Sequence, residues 1–269
     1  MKNFFTEWDR LKEKISNVLL MLFLDYDGTL TPIAPTPDQA ILSNTTRTLL
    51  EKLSKISQYK LTIISGRALS DIKSLVPLKN INYVGNHGFE IEGSGIKFDG
   101  LISTRFHQTF GRLKEAMKEK LCALDGVFIE DKGLTFSLHY RLLPEEEISS
   151  FRKNFKKIVE PYLSRKEIRV DSGKKVFEIK PPIDWDKGKA VLWLLKKQQF
   201  LAGKDTEILP VAIGDDLTDE DAFWALKNKG ITICVGECKE SHAQYSLQDS
   251  DEVNKLLQKI YELKKEKIT

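Results

Sequence analysis

Cysteine, histidine and tryptophan are all scarce in this chain of 269 residues, which holds 3, 4 and 4 of them. Of Cys122, Cys234 and Cys238 only the last two stand close together, and neither has a further Cys or His at zinc-site spacing. No thiolate metal centre is read, and all three cysteines are expected to be reduced and non-catalytic. Long apolar runs are missing as well: none approaches the roughly 20 residues that span a bilayer, so no membrane partner is expected. Charge of one sign is also lacking. The formal net charge is only +3, without the basic stripe of a nucleic-acid binder, which excludes that class of partner. No Gly-x-x-x-x-Gly-Lys-Ser/Thr loop occurs, which excludes an NTP-binding P-loop. The first 17 residues carry Lys2, Glu7, Asp9, Arg10, Lys12, Glu13 and Lys14 and no small-residue cleavage site, so the expected compartment is the cytoplasm.

What is present is an ordinary globular composition, 41% hydrophobic and 30% charged, with a strong alternation of elements. Trp8, Leu11, Ile15 and Leu19 fall at helical spacing, and Val18 to Leu24 reads as a buried strand. Pro32, Pro35 and Pro37 then hold the chain extended. A helix (Ser43 to Ile56), a strand (Leu61 to Ile64), a helix (Ala68 to Leu75) and a strand (Asn82 to Val84) follow. Between about Arg105 and Pro182 the pattern changes to helical segments at 106–124 and 144–163 with strand-like runs at 135–140, 168–170 and 176–179, a separate α+β unit. From Lys187 the first pattern resumes: helix 188–199, strand 209–213, helix 220–228, strand 230–235 and a closing helix 251–267. The expected fold is α/β, a doubly wound, Rossmann-like parallel sheet formed by residues 1–104 and 185–269, with an inserted α+β cap at 105–184.

The chemistry concentrates where these strands end. In Leu24-Asp25-Tyr26-Asp27-Gly28-Thr29 two carboxylates two residues apart point to the same side of an extended chain. An acidic pair at the exit of a buried strand is costly unless a cation or a reaction uses it. Ser65, Lys187, and Asp215, Asp216 and Asp219 close other strands or open helices at the same edge, where open α/β sheets bind ligands. Carboxylates from two strands make an all-oxygen set suited to Mg²⁺. A hydroxyl and N–H at Ser65-Gly66, with the Lys187 ammonium, suit a phosphoryl group. Asp25 can then attack phosphorus, and Asp27 can supply and recover the proton. Asp219 has a competing reading as an N-cap of the helix it precedes.

These residues resemble the haloacid dehalogenase superfamily of aspartate-nucleophile phosphatases, and within it the trehalose-phosphate phosphatases. The likeness rests on Asp25 to Ile33, Ser65 to Arg67, Asn86 to Glu90, His139 to Arg141, Asp186 to Gly188 and Gly214 to Phe223, and spans nearly the whole chain. It implies Asp25 as nucleophile, Asp27 as general acid/base, Ser65 as phosphate-binding hydroxyl and Lys187 as charge-neutralising lysine. Mg²⁺ would sit on the carboxylates of Asp25 and Asp215 and the carbonyl of Asp27, with Asp216 and Asp219 behind. Gly66 and Arg67 would serve the substrate, and Glu130, Lys132, His139, Arg141 and Glu178 of the cap would read the sugar unless strand alternation aims them at solvent. Asn86 and His87 either touch the sugar or shape their turn.

The implied reaction is Mg²⁺-dependent hydrolysis of trehalose 6-phosphate, by a monomer served by a separate trehalose-phosphate synthase. The alternatives are another sugar phosphate (sucrose 6-phosphate, or a mannosyl or glucosyl glycerate phosphate), a phosphotransferase or mutase, and a silent sugar-phosphate-binding module.

Overall fold

The computed structural model describes residues 1–34, 36–98, 104–173 and 175–265. In chain order its first segment contains β1 (Lys2–Asn3), α1 (Trp8–Ser16), β2 (Leu19–Asp25), α2 (Asn44–Ser54), β3 (Tyr59–Ile64), α3 (Leu69–Leu75), β4 (Asn82–Gly85), β5 (Glu90–Gly93) and β6 (Ile96–Phe98). The second contains α4 (Thr104–Lys120), β7 (Phe128–Asp131), β8 (Phe136–His139), α5 (Glu145–Ser164), β9 (Arg169–Gly173) and β10 (Val176–Lys180). The third contains α6 (Lys187–Ala202), β11 (Ile208–Gly214), α7 (Asp219–Leu226), β12 (Ile231–Val235), β13 (Tyr245–Leu247) and α8 (Ser250–Lys265). The chain divides into two compact units, Met1–Phe98 with Trp185–Thr269, and Asp99–Asp184.

The larger unit is built on one sheet in the order β1-β13-β12-β11-β2-β3-β4-β5-β6, parallel except for the β4-β5-β6 edge. Strand β2 shows why the sheet is covered on both faces. Alternate side chains of an extended chain point oppositely. Leu20, Leu22 and Leu24 join a core with Leu11, Leu50, Leu53 and Leu256, from α1, α2 and α8. Met21 and Phe23 join another with Val191, Leu194 and Phe223, from α6 and α7. A continuous apolar run is what a strand buried on both sides requires. Ser43 starts α2 by accepting the Thr46 amide at 3.0 Å. Because β2 and β11 are parallel neighbours, with β3 beyond one and β12 beyond the other, their C-terminal ends open at the topological switch point.

The smaller unit is a four-stranded antiparallel sheet, β7-β8-β10-β9. One face is apolar: Phe136, Leu138, Tyr140 and Ile179 pack with Phe110, Leu113 and Met117 of α4 and Phe151 and Phe155 of α5.

Three features differ from the sequence reading. The short β1, β13 and β7 and the β5–β6 hairpin carry too few residues to show a period of two. Pro37 opens a one-turn 3₁₀ helix, Pro37–Gln39, in place of extended chain, and Pro35 lies outside the described residues, as do the last two residues expected in the closing helix. Cys234 and Cys238 form a disulfide, with Cα atoms 6.4 Å apart, which corrects the reading of three free thiols. Strand β12 ends at Val235 and Gly236 turns at φ +80°, so the chain doubles back and residue 238 meets residue 234.

Candidate active site

Asp25 is the last residue of β2, and Lys187 the first of α6. The two meet inside the larger unit, where the Lys187 ammonium, only 1% exposed, lies 2.8 Å from Asp25 Oδ1 and 2.8 Å from Asp219 Oδ1. Asp186 caps α6 by accepting the Lys189 amide at 2.7 Å, which fixes the helix start and therefore the Lys187 backbone. Asp219 sits at the first position of α7, and its other oxygen accepts the amides of Asp215 (3.1 Å) and Asp216 (3.2 Å). It is not the helix cap considered above. The oxygen that accepts the amides of Thr218 (2.8 Å) and Asp219 (3.2 Å) belongs to Asp216. Asp219 instead ties the Gly214–Asp216 turn to Lys187.

Among the described residues four carboxylates (Asp25, Asp215, Asp216 and Asp219) face the Lys187 ammonium here, an excess of negative charge. Burial pushes the Asp25 carboxyl well above its ordinary value, against the pull of Lys187. Burial, then the Asp219 and Asp216 charges, pushes Asp215 up to about 7. Burial also raises Asp219, to about 6, although Lys187 opposes it. Asp216 moves the other way, to about 2, because Lys187 and the Thr218 hydroxyl outweigh its burial. Burial works against the charge on Lys187, but Asp219 and Asp25 hold it protonated well above the usual lysine range.

This excess of buried negative charge fits a divalent cation. Oxygens of Asp25, Asp215 and Asp219 lie within 4.8 Å of one another, an all-oxygen set of the kind hard cations take. Gly28, at φ +82°, turns the chain so tightly beneath this set that a Cβ there would land on the Asp215 carboxylate. Thr29 Oγ1 donates to the same carboxylate at 3.4 Å.

Ser65 follows β3, whose last residue Ile64 is the register partner of Asp25. Its Oγ accepts the Arg67 amide at 3.1 Å. Arg67, predicted to meet substrate, is 8% exposed and committed to the protein. Its Nε and Nη2 grip both oxygens of Asp27 at 2.7 Å, Nη2 also donates to Pro37 O at 2.7 Å, and Nη1 reaches Asp71 at 3.1 Å. A bidentate fork fixes the direction of a carboxylate as well as its position. Asn86 and His87 are consecutive left-handed residues, φ 50° and 55°, tied to the Ser65 loop by Asn86 N–H to Arg67 O (2.7 Å) and His87 N–H to Ser65 O (3.1 Å). The His87 imidazole fills the space a Cβ on Gly66 would need.

In the smaller unit, cross-strand register sets Glu130, Ser137, Glu178 and Asp171 in one row on the face opposite the apolar core. Lys132 Nζ lies 3.5 Å from Glu178 and 3.8 Å from Glu130, whose carboxylate also meets His139 Nε2 at 2.9 Å. Lys180 Nζ bridges Glu178 (2.8 Å) and Asp171 (2.9 Å). Four of the five predicted cap residues thus converge. Arg141 lies in the turn after β8 and is exposed. Lys180 and Asp171 escaped the sequence reading, although Lys180 stands two residues after Glu178 and so shares its face.

A profile of the family described as Trehalose-phosphatase matches residues 23–251. The chain is 32% identical over 266 residues to probable trehalose-phosphate phosphatase 4 of Oryza sativa subsp. japonica, covering 97% of this chain and 71% of that one. It is 34% identical over 274 residues to probable trehalose-phosphate phosphatase D of Arabidopsis thaliana, covering 96% and 72%. Among solved structures, a trehalose-6-phosphate phosphatase related protein superposes with a TM-score of 0.76 at 28% identity, over 92% of this chain and 99% of that one. The C-terminal domain of C. albicans trehalose-6-phosphate phosphatase superposes with a TM-score of 0.73 at 25% identity, over 94% and 97%.

Proposed function

The chain belongs to the trehalose-phosphatase family, and from that premise we propose that it hydrolyses trehalose 6-phosphate to trehalose and inorganic phosphate through a phosphoryl group carried on Asp25. The observation that carries this reading is the meeting of Asp25, Lys187, Asp215 and Asp219 at the switch-point edge, beside Ser65.

In the first half-reaction a carboxylate oxygen of Asp25 bonds to phosphorus, the bond to the sugar oxygen breaks, and the departing alkoxide takes a proton from Asp27. In the second, a water oxygen bonds to phosphorus, the bond to Asp25 breaks, and Asp27 recovers a proton from the water. Lys187 offsets charge on the phosphoryl oxygens, and the Ser65 hydroxyl and Gly66 N–H hold them. Arg67 serves by fixing where Asp27 points. Mg²⁺, held by Asp25, Asp215 and the Asp27 carbonyl with Asp216 and Asp219 behind, would supply further neutralisation of the phosphoryl group. Residues 105–184 are assigned the part of a lid that excludes water and reads the sugar through Glu130, Lys132, His139, Arg141 and Glu178.

The test is phosphate release from a panel of sugar phosphates with Mg²⁺ and with chelator. Preference for trehalose 6-phosphate that chelator abolishes supports the reading. Preference for another sugar phosphate overturns the substrate, and silence on the whole panel overturns the activity.

A further inference from the structure

The larger unit hands the chain over to the insertion after Phe98 and takes it back at Trp185. These two residues are pressed together: their rings stack with centroids 4.9 Å apart and planes 24° from parallel. Trp193, a turn and a half into α6 from Lys187, tilts against the same Phe98 ring at 5.3 Å. Both strands of chain that join the units are therefore anchored at one aromatic cluster belonging wholly to the larger unit.

Trp185 has a second attachment. Its indole N–H donates to the carbonyl of Gly88 at 2.7 Å. Gly88 closes the turn that holds Asn86 and His87 in left-handed conformations, and that turn is bonded to the Ser65 and Arg67 carbonyls. Gly88 is itself pressed on the start of α6, where a Cβ would come 2.8 Å from Asp186 O and 3.0 Å from the Ala190 Cβ. Two consecutive left-handed side-chain-bearing residues are strained and persist only where their surroundings over-determine them. The indole bond is a restraint on this turn from outside the Ser65 loop. Two residues on from Trp185 the chain presents Lys187.

We infer that Trp185 is a positioning residue, holding the Asn86–Gly88 turn and the Lys187 end of α6 in a fixed relation at the point where the chain returns from the insertion. It touches no reacting atom. The inference rests on the phosphatase reading for its catalytic consequence, though not for its structural one.

Trp185→Phe keeps an aromatic ring to stack on Phe98 and removes the donor to Gly88. Trp193→Phe trims the same cluster without touching Gly88 or Asp186. Both variants and the wild type would be compared for kcat and KM on a small aryl phosphate well below the melting midpoint, and for amide hydrogen exchange. Trp185→Phe should lower kcat about tenfold with KM within about twofold, whereas Trp193→Phe leaves kcat unchanged. Trp185→Phe should also speed exchange at residues 86–88 and 187–190. Unchanged exchange in those segments, or a kcat that tracks only the melting midpoint in both variants, overturns the positioning role. A wild type that releases no phosphate overturns the phosphatase reading instead, and the exchange data still decide the role of Trp185.

Discussion

Replacing Lys187 by Met removes the ammonium that, among the described residues, faces the carboxylate cluster, while keeping much of its volume. Lys187 is 1% exposed and bonded at 2.8 Å to both Asp25 and Asp219. Breaking a buried pair by deleting one partner costs about 3–5 kcal/mol, because the other charge stays buried and uncompensated. The pH dependence follows from the directions of the shifts. Lys187 is raised above 10.5, so its contribution is fully present below that value and is lost only in strong alkali. Asp215 and Asp219 are raised, to about 7 and about 6, so the folded state binds more protons than the unfolded one between about pH 4 and 7. Without Lys187 these groups move higher still, and at pH 5 protons replace the missing ammonium. Urea unfolding in chelator should therefore give a larger loss at pH 8 than at pH 5, by about 1 kcal/mol or more. A loss below about 1 kcal/mol, or an equal loss at both pH values, would refute the claim that Lys187 balances a crowded cluster.

Three further outcomes follow from the same geometry. Arg67→Lys cannot grip both oxygens of Asp27 and should lower kcat about a hundredfold on aryl and sugar phosphates alike, read by steady-state kinetics. Gly28→Ala drives a methyl group onto the Asp215 carboxylate in a left-handed backbone and should weaken Mg²⁺ binding at least about tenfold by titration calorimetry. Lys132→Ala removes the cation between Glu130 and Glu178 and should cut turnover of trehalose 6-phosphate more than about tenfold while leaving a small aryl phosphate within about twofold.

Much of the larger unit was legible because its strands are buried on both faces. Runs such as Leu20 to Leu24, short and closed by a turn, suit a strand buried on both faces, and a parallel sheet then brings Asp25, Ser65, Lys187 and the Asp215 turn to one edge. The partners of those residues were not legible. That Arg67 turns inward to Asp27, or that Asp219 reaches back to two amides and across to Lys187, depends on side-chain directions that a motif does not encode. Strands of two to four residues at the sheet edges carry too short a pattern to show a period. The Cys234–Cys238 bridge follows from the turn at Gly236, a backbone event invisible in cysteine spacing alone. In the smaller unit Glu178 was named through the family resemblance, and strand alternation carried two residues further would have found Lys180.

A phosphoryl group carried on Asp25 is an acyl phosphate, and it can be trapped. Enzyme turning over trehalose 6-phosphate would be quenched in acid within milliseconds and reduced with borohydride, which converts an aspartyl-phosphate to homoserine, and the peptide containing residues 18–30 sequenced by mass spectrometry. Homoserine is expected at position 25 only when substrate and Mg²⁺ are both present. Homoserine at position 27, or phosphate release with residue 25 unmodified at every quench time, would contradict that role for Asp25.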